Sequence, residues 1–167
     1  MKSLQRLCIG LAIVALTTAN AIAGSFFPNS YAWSENTGWI NFAPSSGGGV
    51  TISSTALTGF AWSENLGWIN FSPTSGGVLN NGAGQLSGSA WSENGGWIDF
   101  APAGINVTID GSTRALSSYA WGENIGWINF SVPSPAVTTF GLAPDADNDG
   151  VPNDVELTEG SGKKDTE

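Results

Sequence analysis

One eleven-residue phrase, A-W-S-E-N-x-G-W-I-N-F, is written four times with almost no variation, at Ala32 to Phe42, Ala61 to Phe71, Ala90 to Phe100 and Ala120 to Phe130, with Asp99 for Asn in the third copy and Gly122 for Ser in the fourth. The start-to-start spacings are 29, 29 and 30 residues. A fixed period of this length marks a repeat architecture, in which one supersecondary unit is copied and each copy buries its apolar face against its neighbours. All eight tryptophans of the protein lie in these phrases, two per copy.

Within the phrase, apolar and small or hydroxyl residues alternate without helical spacing, which predicts a strand on either side of S-E-N-x-G. Gly38 closes the turn Glu35-Asn36-Thr37-Gly38 and is expected to take the left-handed conformation of a type I turn with a G1 bulge. Trp39-Ile40-Asn41-Phe42 is then the returning strand, ended by Pro44, as by Pro73 and Pro102 in later copies. Trp33 and Trp39 form a cross-strand pair on one face together with Asn41, and Ala32, Ile40 and Phe42 point the other way. One face is an aliphatic core and the other a Trp pair.

A third strand is predicted between phrases, at Val50-Thr51-Ile52, Val78-Leu79, Ile105 to Ile109 and Val137 to Phe140. Asn81-Gly82 and Asp110-Gly111 beside it suit type I′ hairpin turns. The expected fold is therefore all-β, four tandem repeats of about three short antiparallel strands. Because three is odd, successive copies of a plain meander would run in opposite directions. Equivalent copies then call for a propeller-like or prism-like array of separate units, or alternatively a β-solenoid, where stacked Glu would repel. Unclosed repeats would also leave edges able to pair into oligomers or filaments.

The ends differ from the middle. Lys2 and Arg6, the apolar run Leu7 to Thr17 and the small residues of Ala21-Ile22-Ala23 read as a signal peptide over residues 1–23, cleaved after Ala23. The run is shorter than the roughly 20 apolar residues of a spanning helix, and Cys8 is an apolar residue of the leader. Residues 24–143 form the Trp-rich domain and 144–167 an acidic tail. The processed chain has no Cys and no His, with 14 acidic and three basic residues, a net charge of −11. It is expected to be secreted or attached to the cell surface. It lacks the Lys and Arg clusters that bind nucleic acid, and its attractive charged partners are cations.

Without His or Cys, the Ser/His/Asp and Cys/His nucleophile systems are excluded. Glu35, Glu64, Glu93 and Glu123 recur as equivalents, whereas glycosidases need two unlike carboxylates about one bond. A non-enzymatic protein is expected. The Trp residues have two readings. They pack a small domain that has no disulfides, or Trp33, Trp39, Trp62, Trp68, Trp91, Trp97, Trp121 and Trp127 form aromatic platforms for sugar rings or quaternary ammonium groups. In the second reading the neighbouring Glu and Asn contact hydroxyls, and repetition serves multivalent binding of a polymer.

The sharpest motif is in the tail. From Asp145 to Glu156 the chain fills the twelve-residue calcium loop: Asp145, Asp147 and Asp149 at positions 1, 3 and 5, Gly150 at 6, the Val151 carbonyl at 7, Asn153 at 9 and Glu156 at 12. Hard oxygen donors in this number suit Ca²⁺. Asp165-Thr166-Glu167 reads as the start of a second, truncated loop.

The phrases resemble repeats of exported bacterial surface proteins over residues 31 to 130, which implies a setting and no mechanism. More loosely, two Trp about a Glu-Asn-x-Gly turn are similar to choline-binding cell-wall repeats, which are shorter and Tyr-rich. With Pro144 before it and Pro152 inside it, the tail loop resembles thrombospondin type 3 calcium repeats. The function expected from the sequence is thus a calcium-binding structural or adhesive protein of the cell exterior, and alternatively a carbohydrate-binding module. Its partners are calcium and a polysaccharide or another surface protein.

Overall fold

Each phrase folds as the hairpin its alternation predicts. The computed structural model describes residues 24–133 and 137–140; the expected leader, its expected cleavage site and the expected calcium loop lie outside the described residues. The strands are β1 (Gly24–Phe26), β2 (Tyr31–Ser34), β3 (Gly38–Asn41), β4 (Gly49–Ile52), β5 (Ala56–Ser63), β6 (Gly67–Asn70) and β7 (Gly77–Asn80). They continue with β8 (Leu86–Ser92), β9 (Gly96–Asp99), β10 (Thr108–Ile109), β11 (Leu116–Ser117), β12 (Tyr119–Gly122), β13 (Gly126–Asn129) and β14 (Thr139–Phe140). Trp33 pairs directly with Trp39, Trp62 with Trp68, Trp91 with Trp97 and Trp121 with Trp127. The turn glycines Gly38, Gly67, Gly96 and Gly126 take φ of 77°, 69°, 75° and 78°, a region that only Gly enters without strain.

The hairpins join side by side: β3 to β5, β6 to β8, β9 to β12, and β13 back to β2. That last pairing closes an eight-stranded antiparallel barrel. The expected array of separate three-stranded units is not what forms, and the reason is a miscounted strand. After β6, Phe71 donates its N–H to the Gly59 carbonyl and accepts at its own carbonyl from Val78 N–H, so the chain leaves the ladder and re-enters along the same line. The intervening residues are an outward loop. β6 and β7 are one interrupted strand between β5 and β8. Phe42, Phe100 and Phe130 donate in the same way to Ser30, Gly88 and Ser118. Each repeat therefore contributes two strands, an even number, and four equivalent copies close as a plain up-and-down meander.

Below these Phe positions the lower tier closes too, from β14 through β1, β4, β5, β7, β8, β10 and β11. Closure removes the free edges on which the expected edge-to-edge filament depended. The two dipeptide turns of this tier also differ from the type I′ expectation, since Gly82 has positive φ but Asn81 does not, and neither Asp110 nor Gly111 does. Side chains hold longer loops instead. Asn81 Oδ1 accepts from Ala83 and Gln85 N–H, and Asp110 Oδ1 from Ser112 N–H and from the Thr113 N–H and hydroxyl.

The interior is built in layers of four, one residue per repeat. Ala32, Ala61, Ala90 and Ala120 lie with Ile40, Ile69, Ile98 and Ile128, all buried. Below them Phe42, Phe71, Phe100 and Phe130 form a closed ring with successive centroids 5.4, 5.5, 5.7 and 5.6 Å apart. Val50, Val78, Val107 and Val137 form the next layer. At the upper mouth the variable position of S-E-N-x-G turns inward, and only two large side chains fit. Leu66 and Ile125 plug it, and a Cβ on Gly95 would stand 2.6 Å from Ile125 Cδ1 and 2.9 Å from Leu66 Cδ2. This is why x is free in type but alternates small and large.

Candidate functional site

Subtracting what the barrel consumes isolates the rest. From each phrase, Ala, Ile and Phe fill the core. The turn Asn ties neighbouring repeats: Asn36, Asn65, Asn94 and Asn124 donate from Nδ2 to the carbonyls of Ile125, Thr37, Leu66 and Gly95 at 2.9, 3.0, 3.3 and 3.5 Å. These four bonds make a ring around the upper mouth. The strand-end Asn caps the outward loop: Asn41, Asn70 and Asn129 accept at Oδ1 from Ala43, Ser72 and Ser131 N–H at 2.9, 2.9 and 2.8 Å. Asp99 does the same for Ala101 at 2.9 Å, so its exchange for Asn costs the turn nothing. Both sets of Asn thus have a structural role that the sequence did not reveal, one through Nδ2 and the other through Oδ1.

What remains is the Trp pair and the Glu. All eight Trp stand on the outer wall, from 36 % exposed at Trp91 to 53 % at Trp127 among the exposed seven, with Trp33 half-buried. Each pair meets edge to face at 4.7 to 4.9 Å. Such contacts are worth about 0.5–1.5 kcal/mol beyond burial, but the core holds none of these rings. Among the described residues, no hydrogen bond uses an indole N–H or a carboxylate of Glu35, Glu64, Glu93 or Glu123. Every one of these Glu is exposed.

Grooves run between neighbouring pairs. One, of about 810 Å³, lies between the first and second repeats and is lined by Tyr31, Trp33, Trp39, Asn41, Trp62 and Glu64. A second, of about 690 Å³, lies between the fourth and first and is lined by Tyr119, Trp121, Trp127, Asn129, Trp33 and Glu35. The residue before the phrase adds a third ring: Tyr31 stands 6.1 Å from Trp39 and Tyr119 6.1 Å from Trp127, both edge-on. Sequence reasoning left Tyr31 and Tyr119 out of the site. The alternation that puts Trp33 on the Trp face puts Tyr31 on that same face, so the signal was present.

The outward loops bear on this belt. A Cβ on Gly48 would stand 2.7 Å from Trp68 Cζ3, and one on Gly76 2.7 Å from Trp97 Cζ3. Gly at those positions lets the loop backbone lie directly on the next repeat's second Trp. Among the described residues no group of three or more His, Cys, Asp or Glu could hold a metal ion, and the residues from Asp145 to Glu156 lie outside them. Among the described residues no helix is long and apolar enough to cross a membrane.

No family model matches the chain, and neither a curated protein nor a solved structure matches it significantly.

Proposed function

We propose that this chain is an exported, non-enzymatic adhesive protein that binds polysaccharide through the tryptophan belt of its barrel and calcium through its acidic tail. The observation that carries the first part is the outward placement of all eight Trp with four Glu that have no partner among the described residues. Sugar rings stack on indole faces, and carboxylates and indole N–H groups at the groove edge accept and donate to hydroxyls. Four similar units around one barrel give weak sites that add through effective concentration when the ligand is a polymer. An aqueous setting for the outer wall is supported by the apolar interior, which reverses the polar lumen of a lipid-spanning barrel, and by outward hydroxyls such as those of Thr51 and Thr58. The test is a glycan array with the full chain beside Trp39→Ala. Avid binding by the parent, lost in a variant with unchanged far-ultraviolet circular dichroism, supports the reading. Equal binding by both defeats it.

The calcium part rests on the complete donor set Asp145, Asp147, Asp149, Val151, Asn153 and Glu156. Calcium there would stiffen the tail and shield its carboxylates, which fits a surface protein. Calorimetry should show one saturable calcium site that Glu156→Gln abolishes. No heat from the parent would reduce the tail to a solvated acidic linker.

A further inference from the structure

We infer that the two grooves flanking the first repeat are one continuous cleft for a polysaccharide that carries protonated amino groups. This rests on the glycan-binding reading and narrows it to a charge class. Trp33 lines both grooves, so they meet along a shared wall instead of standing apart. Equivalent points of adjacent repeats are separated by two strands, about 10 Å at the backbone, which suits successive units of one bound chain. Each groove has the same make-up: a Trp pair with a Tyr from one repeat, and a Trp with a Glu from the next.

The charge of the cleft selects the ligand. Glu64 lines one groove and Glu35 the other, and neither has a hydrogen-bond or ionic partner among the described residues. The one basic residue in the described part of the chain, Arg114, belongs to the loop between β10 and β11 at the opposite end of the barrel. The faces of Trp and Tyr add the negative potential of their π systems, which attracts ammonium groups. A neutral glycan would use only the stacking surface. An amino sugar polymer uses that surface and places its ammonium groups against carboxylate and ring face together.

The experiment is calorimetry of the full chain with a hexamer of β-1,4-linked glucosamine, in a mildly acidic, low-salt buffer that keeps the amines protonated, beside the fully N-acetylated hexamer. The amine form should bind on the order of tenfold more tightly, the worth of about one charge-assisted contact. That preference should shrink with added salt and disappear in the Glu35→Gln/Glu64→Gln double variant, which removes no hydrogen bond of the fold. Equal binding of the two hexamers, unaltered in the double variant, overturns the inference and leaves the glycan reading standing. Binding of neither overturns the inference, and the glycan array then decides the wider reading. Poly-lysine competing as well as the amino sugar, with Trp33→Ala without effect, also overturns it, because charge alone would then explain the affinity.

Discussion

The upper and lower tiers of the barrel share the same eight strands and one continuous core, yet their outer walls are built differently. In the lower tier, two directly paired outward positions carry hydroxyls on both strands, Thr51 Oγ1 lying 2.7 Å from Thr58 Oγ1 and Thr108 Oγ1 2.9 Å from Ser117 Oγ, and a third sets Leu79 against Ser87. In the upper tier the corresponding positions carry Trp against Trp at 4.7 to 4.9 Å. Both walls close equally well. The barrel therefore needs a cross-strand contact outside, not an indole, and what the Trp belt adds is open aromatic surface. The core of the two tiers gives no such contrast, since four-residue layers run through both.

The strongest way to break that comparison is to remove a core ring that serves both tiers. Phe71 packs against Phe42 and Phe100 at 5.4 and 5.5 Å and its backbone is where the interrupted strand leaves and re-enters the wall. Phe71→Ala should cost about 3–5 kcal/mol, read as a large drop in the urea midpoint with both tiers unfolding together. Retention of the lower tier in hydrogen exchange while the upper melts would show two separable units.

Much of this was legible in the sequence, and the missing part has a definite cause. Period-two alternation put Ile40 on the aliphatic core face and Trp39 on the opposite one, without saying whether that second face is buried or open, and the turn glycine announced each hairpin. The strand count failed at Ser72-Pro73-Thr74-Ser75-Gly76, which has the composition of a reversal. A loop that leaves a strand and rejoins the same line looks locally identical to one that turns back. The bonds that distinguish them, from Phe71 to Gly59 and from Val78 to Phe71, join positions that no local pattern connects. The roles of Asn36 and Asn41 were hidden similarly, since their partners lie in another repeat or in the loop backbone. For the calcium loop, composition and spacing remain the whole argument.

The sharpest test of the outer wall is to write the lower tier's solution into the upper one. Trp39→Thr should cost about 1–2 kcal/mol, the half-buried part of one indole and its ring contact. Glycan binding in the groove of Trp33, Trp62 and Glu64 should fall by on the order of tenfold or more, as stacked aromatics dominate such sites. A stability loss comparable to that of Phe71→Ala would make the belt part of the core and remove the basis for a binding surface.

Within one turn, two neighbours divide between fold and function. Asn36→Ala deletes the 2.9 Å bond to the Ile125 carbonyl at the seam between the first and last repeats and should cost about 1 kcal/mol in urea unfolding. Glu35→Gln, one residue earlier, removes no bond and should stay within about 0.5 kcal/mol of the parent. If the carboxylate change proved as costly as the amide change, Glu35 would belong to the structure and its place in the cleft would be lost.

The smallest effect contrasts that unbonded carboxylate with a bonded one in the lower tier. The Asp110 carboxylate is held below the usual aspartate range, first by the Thr113 N–H, then by the Thr113 hydroxyl and the Ser112 N–H. A carboxyl whose pKa is lower in the folded chain contributes stability above its unfolded value, about 3.9 for Asp, and loses it as pH falls through the folded value. The parent should therefore lose slightly more thermal stability than Asp110→Asn on going from about pH 6 to about pH 3. The group is fully exposed, so solvent screens it and the difference should be only just resolvable by calorimetric melting. Parallel melting curves for the two proteins across that range would mean that the charge on Asp110 adds nothing to the loop between β10 and β11 beyond what a neutral side-chain acceptor supplies.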